Sequence, residues 1–179
     1  ALDDAPLMGL VGGEILSHNC GRAYGVDPAA DVLKLAVLER HHATGHIGLC
    51  YLKGYGLKKG AVATSIAHDS HNIIAAGASD EEMALAVQRV QAMDGGIVVV
   101  ADGKVLAEVP LPLAGIIAEA PLEEVNTQLE AAKAVAHTLG VRSDIDPFMT
   151  LSFMSLPVIP TLRLTTHGPF DVERWQYVK

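Results

Sequence analysis

The chain has 179 residues, of which 50% are hydrophobic and 19% are charged, a composition that excludes a wholly disordered chain and suits one globular core. The net charge of −8 and the scattered lysines and arginines exclude a typical nucleic-acid-binding surface, which needs clustered cations. Two cysteines do not make a disulfide framework, so we expect a cytoplasmic protein, and no apolar run is long enough to cross a membrane.

Residues 1–30 are rich in glycine, proline and aspartate and show no clear hydrophobic period. We expect an irregular arm or an interdomain connection there, followed by a single domain over 31–179. The next segments are apolar and β-branched, which is typical of buried strands: 32–40, 47–53, 61–66 and 73–76.

Helix and turn signals follow the strands. Ser79 with Glu82 is a capping-box pattern and predicts a helix from residue 80 to about 93. Asp102-Gly103 lies between two apolar runs and predicts a β-hairpin. Pro121 predicts the first turn of a second helix, which ends near Leu139. The sequence therefore predicts an α+β fold, a mostly antiparallel β-meander that carries two main helices on one face.

The most informative stretch is polar and lies between two apolar strands. It consists of His68, Asp69, Ser70, His71 and Asn72. Buried polar groups need partners, and histidine is both a common metal ligand and the side chain that titrates nearest neutral pH. The stretch therefore points to a ligand, a proton-transfer task or a metal bound by His68 and His71. The alternative is a polar loop whose side chains cap backbone groups, and the histidine spacing matches no standard zinc signature.

A second polar loop is expected at the same end of the sheet. If the strands alternate in direction, the loop over 41–46 and the loop over 68–71 share one rim. His41, His42 and His46 then lie near His68, Asp69 and His71, with Arg40 beside them. Arg40, His41 and His42 could contact an anion or a purine edge. The alternative is a solvated strand end.

Several longer motifs resemble the C-terminal domain of bacterial adenine deaminases. They are Glu39-Arg40-His41-His42, Gly45-His46-Ile47-Gly48, the run from Lys53 to Ala61, the run from Ala67 to Ile73, Asp80-Glu81-Glu82-Met83-Ala84, the run from Glu108 to Gly115, the run from Asp146 to Phe153 and Leu156-Pro157-Val158-Ile159-Pro160. The resemblance covers about residues 30–172.

The resemblance implies hydrolysis of adenine to hypoxanthine and ammonia in purine salvage, by an enzyme of the amidohydrolase superfamily. It also implies a divalent metal centre (Mn, Fe or Zn) in a TIM-barrel domain, where the metal lowers the pKa of a bound water. This chain has no His-x-His motif and is too short for a barrel of about 250 residues. We therefore expect either a cleaved or cloned C-terminal fragment or a stand-alone relative. As the C-terminal domain of an adenine deaminase, the chain should be inactive alone, and its rim should complete or cover the active site of the barrel domain. Its expected partners are adenine, its own TIM-barrel domain and further copies in a homo-oligomer.

Two alternatives remain open at this point. The chain could be a structural or oligomerisation module that exposes the apolar side chains of Phe148, Met149, Phe153 and Met154. It could also be an independent metal-binding module rich in histidine.

Overall fold

The computed structural model of the chain describes residues 2–12 and 15–178. The elements of these residues, in chain order, are β1 (Ala5–Leu10), β2 (Ser17–Ala23), β3 (Val32–Leu38), β4 (Ile47–Lys53), β5 (Ala61–Thr64), β6 (Ile73–Gly77), α1 (Asp80–Ala92), β7 (Gly96–Ala101), β8 (Lys104–Pro110), α2 (Leu122–Thr138), α3 (Pro147–Phe153), β9 (Leu162–Thr165), β10 (Gly168–Asp171) and β11 (Gln176–Tyr177). The expected α+β class with a mostly antiparallel sheet is confirmed.

The large sheet has eight strands in the order β2-β1-β4-β3-β6-β5-β7-β8. All of its pairs are antiparallel except β1 with β4, which is parallel. The expectation of a simple meander is wrong in its strand order, because β3 pairs with β6 and the connection from β4 to β5 crosses both of them. The alternation of direction is nevertheless as expected, so the β3–β4 loop and the β5–β6 loop lie at one end of the sheet.

The helices cover both faces of this sheet, and the expectation of two helices on one face is wrong. Helix α1 packs on Ala61, Ala63 and Val98, whereas α2 and α3 pack on the opposite side, with Val62 and Val99. Strands β5, β6 and β7 are buried at every position, and a strand buried on both faces needs a cover on each.

Residues near the start of the chain are strands, so the expected irregular lead-in is wrong for 5–10 and 17–23. Every residue of β1 is buried, and Leu7, Met8 and Gly9 pair with Tyr51, Leu52 and Lys53 of β4. Proline and glycine hide the period of β1 in the sequence, and a register shift after Pro6 accommodates them. A connecting role toward a preceding domain stays a prediction.

The helix boundaries follow local signals. Ser79 caps α1, where its hydroxyl oxygen accepts the N–H of Glu82 at 3.3 Å, as the capping box predicts. Asp146 caps α3 in the same way, by accepting the N–H groups of Phe148 and Met149. Across the described part of the chain, no helix combines the length and apolar character that crossing a bilayer requires.

The apolar cluster around α3 is mostly core. Phe148 and Met154 are buried, Phe153 is partly buried and Met149 is half exposed. The interpretation of this cluster as mostly core is confirmed, and the alternative of an exposed surface made by all four side chains is wrong, because Phe148 in α3 and Met154 just after it are buried. A second sheet, ordered β11-β10-β9, lies against β4 at Gly48, where a β-carbon would come within 1.8 Å of the Thr165 carbonyl oxygen.

Candidate functional site

The two polar loops meet because β3 and β6 are neighbours. Leu38 at the end of β3 pairs with Ile73 at the start of β6, so the residues after one strand lie beside those before the other. The backbone N–H of Arg40 donates to Asn72 Oδ1 at 3.3 Å, and His41 Nε2 lies 2.7 Å from the Ser70 carbonyl oxygen. We call residues 39–46 and 67–72 together the rim.

Glu39 organises the first rim loop, a role that sequence reasoning missed. Its Oε1 accepts the N–H groups of His41 and His42 at 2.5 and 2.8 Å, and its Oε2 accepts the N–H and hydroxyl of Thr44, both at 3.0 Å. These hydrogen bonds, the one from the Thr44 N–H first among them, lower the pKa of Glu39 to about 2. The sequence feature that could have indicated this role is a carboxylate at the end of a strand, directly before a short polar loop.

His68 and His71 lie side by side in the second rim loop. Their ring centroids are 5.6 Å apart, and the ring of His68 also lies 4.8 Å from that of Phe153. The backbone of His68 is fixed on both sides, since its N–H donates to the Ser152 carbonyl at 2.9 Å and its carbonyl accepts the Ser155 hydroxyl at 3.2 Å. The segment after α3 therefore holds the backbone of His68 in place.

His71 has unusual surroundings for a histidine. Burial lowers the pKa of His71 below its ordinary value, and the nearby Arg40 guanidinium lowers it further, whereas Asp69 acts in the opposite direction. The net effect favours the neutral imidazole. Its Nδ1 is buried and has no hydrogen-bond partner among the described residues. Because a buried polar atom without a partner is costly, this nitrogen is a candidate for contact with a group outside those residues.

The remaining rim residues differ in their exposure to solvent. Asp69 and Ser70 are exposed, as are His41 and His42, whereas Asn72 is buried and donates from Nδ2 to Ser70 Oγ at 3.1 Å. A cleft of about 330 Å³ opens beside them, lined among others by Asp69, Ser70, Asn72, Ser155 and Thr166. The side chains in this cleft can exchange hydrogen bonds with a small polar molecule.

Arg40 is committed to the backbone. Its Nε donates to the His71 carbonyl at 2.6 Å and its Nη2 donates to the Ala114 carbonyl at 2.5 Å, so it joins three loops. The expectation that His46 joins this group is wrong, because its ring lies 4.9 Å from that of His167 instead. A separate apolar groove of about 440 Å³ between α1 and strands β3 and β4 is lined by other residues, among them Leu38, Ile47 and Met83.

His68 and His71 are the two residues of the rim that are expected to bind a metal. Within residues 2–12 and 15–178, no three or more histidine, cysteine, aspartate or glutamate side chains are grouped so that they could hold a metal ion. Protein metal sites commonly use three or four protein ligands, so the described residues do not complete one. The two histidines could supply two ligands, and the others would have to come from elsewhere.

The family model described as "Adenine deaminase C-terminal domain" matches residues 15–176. The chain is 46% identical over 177 residues to an adenine deaminase of Desulfatibacillum aliphaticivorans, covering 99% of this chain and 31% of that protein.

Two further relatives carry the same name. The adenine deaminase of Nitratidesulfovibrio vulgaris is 50% identical over 151 residues, which is 84% of this chain and 26% of that protein. The adenine deaminase of Brucella melitensis is 44% identical over 178 residues, which is 96% of this chain and 30% of that protein. The chain thus spans 26% to 31% of the length of these relatives. By its match over nearly all of its residues, the chain belongs to the adenine deaminase C-terminal domain family.

Proposed function

We propose that the chain works as the C-terminal part of a cytoplasmic adenine deaminase of purine salvage, in which its rim forms one wall of the active site. The reaction would be the hydrolysis of adenine to hypoxanthine and ammonia. The opposite wall would belong to a TIM-barrel domain outside the 179 residues, in keeping with relatives that are more than three times as long. The isolated chain would then be inactive.

The observation that carries this proposal is the meeting of the two polar loops. The rim is tied together by the contacts of Arg40 with His71 and Asn72 and of His41 with Ser70. Exposed side chains with hydrogen-bonding capacity, Asp69 and Ser70 among them, lie at the same end as the half-buried His71, whose pKa burial lowers. Such a surface suits contact with a flat, polar purine at its edge.

The roles of individual residues follow from their surroundings. His71 would accept or donate a proton or hydrogen bond, because a neutral imidazole can do either. Asp69 and Ser70 would contact polar atoms of the substrate or of the opposite wall. A divalent metal (Mn, Fe or Zn), held mostly by the barrel domain, would lower the pKa of the water that reacts.

The first test is an assay of the isolated chain for ammonia release from adenine with added Mn²⁺. We expect release at the level of the buffer blank, because the described residues do not complete a metal site. Turnover at an ordinary enzymatic rate, about 10 s⁻¹, would contradict the claim that the catalytic machinery lies elsewhere.

The second test is His71→Ala in the full-length enzyme. We expect kcat/KM for adenine to fall by about tenfold or more, with unchanged metal content and melting temperature. The matched control is His137→Ala, since His137 is also half-buried but contacts the Val141 carbonyl near the end of α2. Parental activity in both variants would reduce the rim to a structural role.

A further inference from the structure

The loop over 111–118 lies at the rim end of the sheet, although the rim does not include it. Strand β8 ends where Pro110 pairs with Gly96, and β7 begins beside the end of β5, where Ile97 pairs with Thr64. The chain therefore leaves β8 next to the segment that leads into the second rim loop.

Hydrogen bonds from Ser65 and Arg40 fix the backbone of this loop. The hydroxyl of Ser65, which is fully buried, donates to the Gly115 carbonyl at 2.5 Å and accepts the Gly96 N–H at 2.8 Å. Arg40 Nη2 donates to the neighbouring Ala114 carbonyl at 2.5 Å. A β-carbon on Gly115 would come within 2.4 Å of that same Nη2 atom, so the guanidinium packs directly on the glycine.

The loop is also closed on itself. Leu113 and Ile117 exchange two backbone hydrogen bonds, each 3.1 Å long. Ala114 and Gly115 between them have positive φ angles of 57° and 75°, which makes a tight turn. The loop therefore has a defined shape before it meets anything else.

This rigid loop exposes aliphatic side chains. Leu113 is 47% exposed, Ile116 is 37% exposed and Ile117 is 55% exposed. Single exposed aliphatic residues are common, but here two of the three, Leu113 and Ile117, are directly paired across the turn, with Ile116 next to Ile117 in the chain. Exposed apolar patches mark interaction sites. A surface that is already ordered binds with little loss of conformational entropy.

We infer that Leu113, Ile116 and Ile117 form a docking loop, which packs on an apolar surface of the remainder of the full-length polypeptide. The curated relatives extend well beyond the matched part, which is 26% to 31% of their length, so a large remainder exists in them to contact this domain. Arg40 binds both the second rim loop and the docking loop, so a domain seated against the rim reaches the docking loop as well. The inference rests on the proposed function only in placing that domain at the rim.

Hydrogen–deuterium exchange tests the inference on the isolated chain and on the full-length protein. We expect the amides of 113–118 to exchange about tenfold or more slowly in the full-length protein, because docking excludes water and suppresses local opening. The hairpin over 102–107 lies at the opposite end of the sheet and is the internal control, with unchanged exchange. Equal exchange of 113–118 in both proteins would overturn the inference.

A substitution identifies the side chain responsible. Ile117→Ser should abolish the extra protection in the full-length protein and leave the melting temperature of the isolated chain unchanged. Leu106→Ser, at a β8 position that is 46% exposed, should change neither. Protection that instead rises with the concentration of the isolated chain would assign the loop to contact between copies and refute the proposed partner.

The two proposals can fail separately. Exchange does not depend on turnover, so protected docking-loop amides together with full activity of His71→Ala would retain the docking loop and reject the active-site role of the rim. Full exchange with an inactive His71→Ala would do the reverse.

Discussion

Replacement of Arg40 by methionine tests whether one side chain holds three loops together. Methionine keeps the length of the aliphatic stem and removes only the guanidinium. The lost interactions are the hydrogen bonds to the carbonyls of His71 at 2.6 Å and Ala114 at 2.5 Å. A hydrogen bond from a charged donor contributes about 1.5 to 3 kcal/mol, so two of them set an upper limit of about 6 kcal/mol.

The expected change is smaller than that limit for two physical reasons. The Arg40 guanidinium is partly buried, and the cost of removing this cation from water, which also lowers its pKa, offsets part of the gain from the two hydrogen bonds. The Ala114 carbonyl lies at an exposed residue, where water can replace the lost donor. We therefore expect Arg40→Met to lower the free energy of unfolding by about 2 kcal/mol, equivalent to a fall in melting temperature of about 4 to 8 °C for a domain of this size.

Urea denaturation of the isolated chain measures this change, provided that the slope of the free energy against urea stays constant. Arg40→Lys should recover less than half of the loss, because an ammonium group lacks the planar fork that reaches two carbonyls. Arg174→Met is the control, since Arg174 is largely exposed and its nearest acid, Asp171, is 3.9 Å away; its loss should stay below about 0.5 kcal/mol. Equal stability of Arg40→Met and Arg174→Met would refute the claim that Arg40 joins the loops.

Three further results are expected. Gly115→Ala should destabilise the chain by more than Gly103→Ala, because both glycines have positive φ but only the β-carbon of the former meets another group, and urea denaturation that finds equal losses would contradict this. Glu39→Gln should lower the melting temperature at pH 6, because the pKa of Glu39 is about 2 in the folded chain and near its ordinary value of 4.5 in the unfolded chain. The difference from the parent should shrink as the pH falls from about 4.5 toward 2, and a constant difference would exclude this ionisation as the cause. An aromatic disulfide reagent should modify the exposed Cys20 in the native chain and Cys50 only after unfolding, since Cys50 is buried and burial raises the pKa of its thiol. Rapid modification of both cysteines in the native chain would argue against the buried position of Cys50.

Local signals were sufficient for most elements of the fold. The capping box at Ser79, the hairpin at Asp102-Gly103 and the proline at position 121 each act within a few residues, and the structure places α1, the β7–β8 hairpin and α2 accordingly. These features are readable because the hydrogen bonds that define them join residues close in sequence.

Strand order and helix faces depend on contacts between distant residues. Strand β3 pairs with β4 on one side and has a second edge that is free within the β3–β4 hairpin. The residues of β4 and β5 do not show that this edge pairs with β6 rather than with β5. The placement of helices on both faces of the sheet, by contrast, could have been predicted from the apolar character of the central strands. Thr64 and Val98 belong to strands that are buried throughout, and such strands need cover on both faces.

Arg40 shows why the chemistry of a site is harder to read than its location. A cation at the end of a strand, next to histidines, has the same sequence appearance whether its donors face a ligand or the backbone. One partner of the Arg40 guanidinium lies 74 residues further along the chain, where the Ala114 carbonyl oxygen is 2.5 Å from Nη2. The guanidinium can approach this turn because Gly115 has no side chain. Arg40 therefore binds backbone carbonyls of two other loops. Under the proposed function, the exposed Asp69 and Ser70 are better candidates than Arg40 for direct contact with the substrate. The same contact couples the rim to the docking loop, so a change at either surface should be felt at the other through this one guanidinium.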